Sequence, residues 1–290
     1  MKAPDFEYAR PDSIEEAISL LSPGDLYTLP LAGGQSLMAM MNLRVAAPDC
    51  LVDLSAISEL SGIEDKGSTI SIGAMTRHVE MGNSELVAEH LPLISAAIND
   101  IAHVAIRNRG TIGGSLALAD PAAELPACCI AYDATIITHG TSGEKRTPAD
   151  GFFVGIFETV LGEGELIKAI EFDKRGNKES QFAFAELARR KGDYAMVGIA
   201  MSANGTQTIV DPRIVLFGVS DKPERAVDAE KTLEGSPINI SEEILEKVSN
   251  VVTEGIDFSG DLHASASTKE HLSTVLVKRA LIQLSEGSQL

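Results

Sequence analysis

The chain of 290 residues is long enough for one large or two medium domains with a well-buried core. Its apolar fraction of 44% and charged fraction of 23% are typical of an ordinary globular protein. The net charge of −18 argues against a nucleic-acid-binding surface, because phosphate binding needs a basic stripe and the basic residues are scattered, apart from Arg189, Arg190 and Lys191.

The sequence indicates neither a membrane segment nor a cysteine-based site. No stretch approaches the roughly 20 consecutive apolar residues of a membrane helix, and the N-terminus lacks the apolar core of a signal peptide, so we expect a cytoplasmic protein. The three cysteines, Cys50, Cys128 and Cys129, have no CxxC spacing, which argues against a disulfide framework and against an iron–sulfur or zinc site in this chain. Cys128 and Cys129 lie in an apolar run and are predicted to be packed thiols.

The first half of the chain predicts a mixture of short strands and helices. Ile14, Ala17, Ile18 and Leu21 form one helical stripe that ends before the Pro23-Gly24 pair. Two short buried strands are predicted at TLPLAGG and DCLVDLS. They flank a methionine-rich helix that is predicted to begin directly after Gly33-Gly34. Further strands are predicted at STISIGAM, ATIITHG and ELIKAIEF, and a second amphipathic helix at LPLISAAINDIAH.

A polar, charged connector at residues 172–180 is predicted to separate two domains. We expect the first domain to cover residues 1–175, with lobes at about 1–56 and 57–175, and the second to cover residues 176–290. The second domain opens with three strand-like runs, QFAFAELARR, YAMVGIAMSA and RIVLFGVS, and closes with two helices. This pattern predicts an antiparallel meander covered by helices.

Two glycine stretches are the most informative feature of the sequence. Gly33-Gly34 is followed by Gln35, Ser36 and a predicted helix, and Gly113-Gly114 is followed by Ser115. A glycine pair can take a positive φ and lets another group approach the backbone closely. Successive N–H groups in such a turn form a concave site that favours an anion, and Ser36, Thr111 and Ser115 add hydroxyl donors. The hypothesis is that two cups of backbone amides bind one diphosphate.

Other classes of site have weaker support in the sequence. A single glycine pair usually marks only a tight turn, but two of similar form favour a ligand. Neither stretch is a GxGxxG followed by an acidic residue, nor a GxxxxGK[ST] loop, so a nicotinamide Rossmann site and a P-loop are not indicated. There is no GxSxG elbow, and the histidines lack metal-ligand spacing. We interpret the six histidines as surface or helix-end residues. They are His78, His90, His103, His139, His263 and His271.

Four ordered segments together resemble one known family. They are LAGGQSLMAMMNLRVAAPDCLVDLSAISEL, IGAMTRHVE, IRNRGTIGGSLALADPAAELPA and ARRKGDYAMVGIA. They look like the FAD-binding medium subunit of molybdenum hydroxylases, the flavoprotein of the carbon monoxide dehydrogenase and xanthine dehydrogenase family. The resemblance runs from about residue 4 to about residue 285. It implies an α+β protein with a vanillyl-alcohol-oxidase-type (PCMH-type) FAD-binding fold, made of two α/β lobes and a C-terminal three-stranded antiparallel sheet with helices.

The resemblance also implies which residues contact the cofactor. FAD would bind non-covalently and lie extended between the lobes. Glu124 would hydrogen-bond the polar tail of the cofactor, Ile101 and Ile167 would line the isoalloxazine ring, Tyr194 would stand near its edge, and Lys191 would direct positive charge towards it. The diphosphate would be held by Leu31, Ala32, Gly33, Gly34, Gln35 and Ser36 from the first stretch and by Thr111, Ile112, Gly113, Gly114 and Ser115 from the second.

The chain departs from the family pattern at several positions. The family commonly has Asn in place of Ser115 and Asp in place of Glu124, but a hydroxyl still donates and a longer carboxylate still accepts. Gln35 stands where relatives often carry His. Arg107 and Arg109 flank the second stretch, and two interpretations stay open for them, a contact with phosphate or a solvated turn.

The implied function is that of an electron-transfer subunit. Electrons would come from a small partner with [2Fe-2S] clusters, supplied by a large molybdopterin partner, and leave to a terminal acceptor, within a heterotrimer or a dimer of heterotrimers. Hydroxylation would occur on the large partner, so no catalytic or metal-binding residue is assigned here, and carbon monoxide, purines, N-heteroaromatics and aldehydes stay open as substrates. The alternatives are a stand-alone flavin oxidoreductase with its own substrate pocket and a cofactor-free scaffold.

Overall fold

The chain begins with a small parallel sheet, in a computed structural model that describes residues 2–174 and 180–286. Its three strands are ordered β1-β3-β2, and both strand pairs are parallel. Ser13 caps the first helix by accepting a hydrogen bond from the Glu16 N–H. Ile14, Ala17 and Ile18 form the buried face of that helix. The elements of this unit are β1 (Glu7–Ala9), α1 (Ile14–Leu21), β2 (Thr28–Leu31), α2 (Leu37–Asn42) and β3 (Cys50–Asp53).

The second unit is a five-stranded antiparallel sheet with helices inserted between its strands. The strand order is β4-β5-β10-β6-β7, so the long last strand of the unit lies at the centre. The elements are β4 (Ile63–Asp65), β5 (Thr69–Gly73), α3 (His78–Gly82), α4 (Glu85–His90), α5 (Pro92–Ile98), α6 (Val104–Arg107), α7 (Ile112–Leu118), α8 (Glu124–Ala131), β6 (Thr135–Gly140), β7 (Gly143–Pro148), β8 (Phe153–Gly155), β9 (Glu158–Thr159) and β10 (Leu166–Asp173).

The third unit is an antiparallel meander with three helices on one face. Its strands follow chain order, β11-β12-β13-β14. The three long strands are those predicted, and a two-residue strand extends the sheet to four. The elements are β11 (Ser180–Ala188), β12 (Ala195–Asn204), β13 (Val210–Phe217), β14 (Glu224–Arg225), α9 (Val227–Leu233), α10 (Glu242–Val251) and α11 (Ala266–Ser285).

Both faces of the third sheet are buried, and one of them belongs to the core of the second unit. Side chains alternate along a strand, so neighbouring residues point to opposite faces. On β13, Ile214 and Leu216 pack with α9–α11, whereas Val215 and Phe217 join the core that contains α5 and α8. Phe184 of β11 and Phe217 stack at a centroid distance of 5.9 Å. The second and third units therefore share one hydrophobic core.

Several sequence predictions are confirmed by these elements. The strands around the first glycine pair, the helix after it and the three long C-terminal strands lie where the patterns place them. Cys128 and Cys129 are packed thiols, with no exposed surface. Among the described helices, none combines the length and apolar character that a bilayer crossing requires. Residues 175–179 of the predicted connector lie outside the described residues, and the domain boundary stays a prediction.

Several helices were not predicted, among them α3, α4, α6, α8 and α9, and two of these have a clear physical explanation. In α8, residues 125–131 are all buried, so the helix has no polar face and no periodicity to detect. The short α9 follows directly after the two-residue β14, and its buried Glu230 accepts hydrogen bonds from Arg225 and from the Ile214 N–H. A buried glutamate in a short segment looks like surface sequence until its partners are known.

The shared core makes Gly198 of β12 a sensitive position. A Cβ atom there would lie 2.0 Å from the Phe217 ring, which is fully buried and has no free space to move into. We expect Gly198→Ala to lower the free energy of unfolding by about 1–3 kcal/mol, the usual cost of overpacking. Gly151→Ala is the control, because no atom lies within 4 Å of its Cβ position. Urea unfolding of both variants checks this, and equal stability would contradict the shared core.

Candidate cofactor site

A cavity of about 610 Å³ lies where the three units meet. Its size is within the usual range for a small-molecule or cofactor site. Most of the residues predicted to contact a cofactor line it: Ala32, Gly33, Gly34, Gln35, Ser36, Ile101, Thr111, Gly113, Gly114, Ser115, Glu124, Ile167 and Tyr194. The fold thus brings together residues that are separated by up to 162 positions in the sequence, from Ala32 to Tyr194.

Three of the predicted contact residues do not line this cavity. Ile112 is fully buried in the core. The Leu31 side chain lies beneath the first glycine pair, with Cδ1 3.3 Å from the position of a Cβ on Gly34. Lys191 is exposed, and its loop neighbours Gly192 to Tyr194 reach the cavity instead. Leu31 and Ile112 are therefore packing residues next to the two glycine stretches.

The first glycine stretch presents a row of unused backbone donors to the cavity. Among the described residues, the backbone N–H groups of residues 33–37 have no hydrogen-bond acceptor. Gly34 has a φ of +71°, which turns the chain and favours glycine. The Gln35 side chain folds back and donates to the Gly33 carbonyl at 3.0 Å. The Ser36 hydroxyl makes no capping bond to α2 and is free to contact a ligand.

The second glycine stretch does not form a cup of free amides, and that part of the hypothesis is wrong. The N–H of Ile112 donates to Thr76 O at 3.1 Å, and that of Gly113 to Ala74 O at 2.8 Å. The N–H of Gly114 donates to Thr111 Oγ1 at 3.1 Å, and that of Ser115 to Thr111 O at 3.0 Å. These amides cap α7 and fix it to the end of β5. The stretch therefore offers the cavity its hydroxyl groups and its small surface.

The two glycine stretches are in direct contact. A Cβ on Gly33 would lie 2.2 Å from the Arg109 carbonyl oxygen and 2.9 Å from the Gly110 Cα. A Cβ on Gly113 would lie 2.5 Å from the Ala74 Cβ. Only glycine can be accommodated at such separations, so the glycines bring three backbone segments together at one end of the cavity.

The cavity wall also has an apolar part, which includes a braced loop. Ile101 and Ile167 are both at least nine-tenths buried and both line the wall. A β-bulge follows Ile167 in β10, a feature that often adjusts side-chain direction beside functional sites. Tyr194, 71% exposed, stands at the edge.

Arg107 braces the loop that carries Ile101, and Arg107 itself does not line the cavity. Its guanidinium donates to the carbonyl oxygens of Ile101 at 2.7 Å and Ala102 at 2.9 Å. Ala102 in turn packs against Gly192, where a Cβ would lie 2.7 Å from the Ala102 oxygen. The contact brings Tyr194 to the cavity. Arg109 is exposed, and its side chain does not line the wall.

Carboxyl groups with raised pKa values cluster beside the cavity. Burial, with smaller effects of Asp100 and Asp120, raises the pKa of Glu124 to about 7. Burial, together with the charges of Glu124 and Asp100, raises the pKa of Glu186 on β11 to about 8. The described residues contain no group of three or more acidic, histidine or cysteine side chains arranged to hold a metal ion. Glu186 gave no sequence signal, because its neighbours come from distant elements.

His78 was also missed, since its sequence context indicated a helix end. It does begin α3, but it is only 6% exposed and lines the cavity. Neither ring nitrogen has a hydrogen-bond partner among the described residues. Burial is the main cause that lowers the pKa of His78 to about 4, and the charge of Arg107 adds to this. The available signal was its position shortly after a buried strand, since only residues 74–77 separate it from β5.

Comparisons with known proteins agree with this geometry. Residues 4–173 match the FAD binding domain in molybdopterin dehydrogenase, and residues 182–284 match the CO dehydrogenase flavoprotein C-terminal domain. The chain is 36% identical over 284 residues to the nicotine 6-hydroxylase medium subunit of Paenarthrobacter nicotinovorans, with 98% of each chain covered. It is 35% identical over 282 residues to the glyceraldehyde dehydrogenase medium chain of Sulfolobus acidocaldarius, covering 97% of this chain and 98% of that one.

A solved structure gives the same answer for the fold. Carbon monoxide dehydrogenase from Hydrogenophaga pseudoflava matches with a TM-score of 0.93 at 37% identity, with 98% of each chain covered. The chain therefore belongs to the FAD-binding medium subunits of molybdenum-containing dehydrogenases and hydroxylases. The predicted family, PCMH-type fold and FAD cofactor are confirmed.

The carboxyl cluster predicts how stability depends on pH. The pKa values of Glu124 and Glu186 in the folded chain lie above the ordinary value of 4.5. Protons therefore bind more tightly to the folded state, and stability from these groups is fully present below about pH 4.5 and is lost as the pH rises through 7 to 8.

We expect the cofactor-free protein to lose about 1–3 kcal/mol of unfolding free energy between pH 5 and pH 8 from this source. The double variant Glu124→Gln, Glu186→Gln should lose less over the same interval. Urea unfolding at several pH values measures the two slopes. Parallel slopes for the two proteins would show that these carboxyl groups titrate normally.

Proposed function

We propose that this chain holds FAD as the electron-transfer subunit of a heteromeric molybdenum hydroxylase. It would accept electrons from [2Fe-2S] clusters of a small partner, supplied by a molybdopterin centre on a large partner, and pass them to a terminal acceptor. The observation that carries the proposal is one cavity lined both by open backbone donors and by the apolar side chains of Ile101 and Ile167.

The residues present fit FAD by their chemistry. A diphosphate needs several hydrogen-bond donors, and the amides of residues 33–37 and the hydroxyl groups of Ser36, Thr111 and Ser115 supply them at the glycine end. A flavin ring needs a broad apolar wall, and Ile101 and Ile167 contribute to it. Glu124, on the wall with a pKa of about 7, can accept or donate a hydrogen bond to a sugar or ribityl hydroxyl.

The chain's own contribution is to bind, orient and shield. FAD, when bound, supplies the redox chemistry, which no side chain of this protein can provide. The glycine contacts fix the position of the diphosphate end, while the Arg107 brace fixes the loop that carries Ile101 and holds Tyr194 near the edge. The substrate would bind on another subunit. Relatives of nearly equal identity are named for nicotine and for glyceraldehyde, so this subunit does not encode the substrate class.

The alternative is a stand-alone flavin oxidoreductase with its own substrate pocket. It would need a reactive group beside the flavin, and Tyr194 is the candidate. That side chain is largely exposed, as expected for a residue at a subunit surface or a cavity entrance.

Co-purification separates these two functions. We expect the chain, co-expressed with small and large subunits encoded beside it, to elute as one complex containing flavin, iron and molybdenum in fixed ratio. Denaturation should release the flavin from the polypeptide, because binding is non-covalent. A yellow, active homodimer without iron or molybdenum would instead favour the stand-alone oxidoreductase.

The open amide row can be tested with a single valine. Gly34→Val forces a branched residue to a φ of +71° and places its side chain against Leu31 and Met38, so the row should distort and FAD retention should fall at least tenfold. Gly67→Val is the matched control, with a φ of +87° and open space far from the cavity. It carries comparable backbone strain without touching the site.

Bound flavin per polypeptide and the FAD dissociation constant, read from flavin fluorescence, are the measurements. Thermal unfolding of both cofactor-free variants shows whether they are equally destabilised. Equal FAD binding by the two variants would remove the first glycine stretch from the site.

A further inference from the structure

We propose that the His78 imidazole hydrogen-bonds the diphosphate of bound FAD, which makes it a cofactor-binding residue. The inference rests on the proposed FAD site and adds to it a contact that the resemblance does not supply. It starts from a side chain whose placement is unfavourable in the cofactor-free protein.

The His78 ring is buried, and no hydrogen bond to its nitrogens offsets the cost of removing them from water. The side chain is 6% exposed, and neither Nδ1 nor Nε2 has a hydrogen-bond partner among the described residues. Buried polar groups are nearly always paired, so an unpaired imidazole in the wall of a cavity indicates a partner that enters the cavity. The backbone carbonyl of Thr111 is close enough to favour the protonated ring, but not in hydrogen-bonding geometry.

The ring lies at the glycine end of the cavity. Its Cε1 and Nδ1 atoms are 3.0 and 3.1 Å from the position of a Cβ on Gly110. The Gly110 Cα is in turn 2.9 Å from the position of a Cβ on Gly33, where the row of free amides begins. The imidazole and the amide row therefore border the same part of the cavity. An anion bound by the amides would lie within reach of the ring.

Burial and the surrounding charges together determine the protonation state of the His78 ring. Arg107 on α6 disfavours the charged ring, and burial disfavours it more, so at neutral pH the cofactor-free ring is neutral and can donate one hydrogen bond. The other titratable groups on the cavity wall are His103, Asp120, Glu124, Glu165, Asp193 and Tyr194. A diphosphate placed beside the ring adds negative charge and raises the pKa of His78 above its cofactor-free value of about 4.

Two substitutions test the contact. For His78→Leu, the expected effects on stability and on FAD affinity have opposite signs. His78→Leu removes the unpaired polar ring, so the cofactor-free protein should unfold at a higher temperature than the wild type, while FAD affinity falls about 10- to 100-fold, as for loss of one hydrogen bond to a charged group. His78→Gln keeps a neutral donor and should restore part of the affinity. His139→Gln is the control, because His139 also has a buried unpaired Nδ1 but does not line the cavity. Its FAD affinity should equal that of the wild type.

The pH dependence separates a diphosphate contact from simple packing. If bound FAD raises the pKa of His78, binding takes up a proton between pH 4 and the bound-state pKa. Across that window the wild-type dissociation constant should fall tenfold for each unit of decreasing pH, and above it the contribution of His78 is constant. His78→Gln lacks this component and shows only the dependence that comes from the carboxyl groups. The two ³¹P resonances of bound FAD should shift with pH at the midpoint of the His78 ring carbons, and should not do so in His78→Gln.

Each outcome has one meaning. A wild-type protein that binds no FAD overturns the proposed function itself. Wild-type binding with unchanged affinity in both His78 variants overturns only the role of His78. A His78→Leu protein that loses stability together with affinity shows a packing role and overturns the proposal, as do ³¹P resonances that ignore the titration of the ring.

Discussion

The cavity depends on the close contact between Gly33 and the backbone of Arg109 and Gly110. A single methyl group on Gly33 would lie 2.2 Å from the Arg109 carbonyl oxygen, so no other residue allows the first and second units to approach this closely. With the backbones in contact, the amides of residues 33–37 are left facing the cavity instead of a neighbouring strand. The start of α2 contributes to this donor row, because N–H groups in the first turn of a helix have no intrahelical acceptor.

The two glycine stretches look alike in sequence and do different work. The first supplies free donors, whereas the second uses its amides to fix α7 to β5 and offers only hydroxyl groups and a small surface. A chain with two free amide rows would have to leave α7 uncapped beside the cavity. Restricting the open row to one stretch keeps the second rigid, and a rigid wall is what a bound dinucleotide needs in order to hold one orientation.

Much of the fold was predictable because its signals are local. Apolar strand-like runs predicted β12 and β13, and the glycine pair with its flanking strands predicted the first half of the site. Features formed by distant residues were not predictable. The amides of Ile112 and Gly113 are used by Thr76 and Ala74. His78 looked like a helix-end residue, and only the folded chain shows it buried, without a partner, against Gly110. In the same way, Arg107 gave no sign that its acceptors are the carbonyl groups of Ile101 and Ala102.

Phe184 and Phe217 of the C-terminal sheet complete the core beneath α5 and α8. Tyr194, which directly precedes β12 of the same sheet, lines the cavity. The N-terminal half and the C-terminal half consequently need each other to complete one core. A chimera joined in the connector between β10 and β11 places aromatic rings from one parent against helices shaped by the other. Recombination among related subunits is therefore expected to exchange whole chains, with the halves kept together by the rings they share.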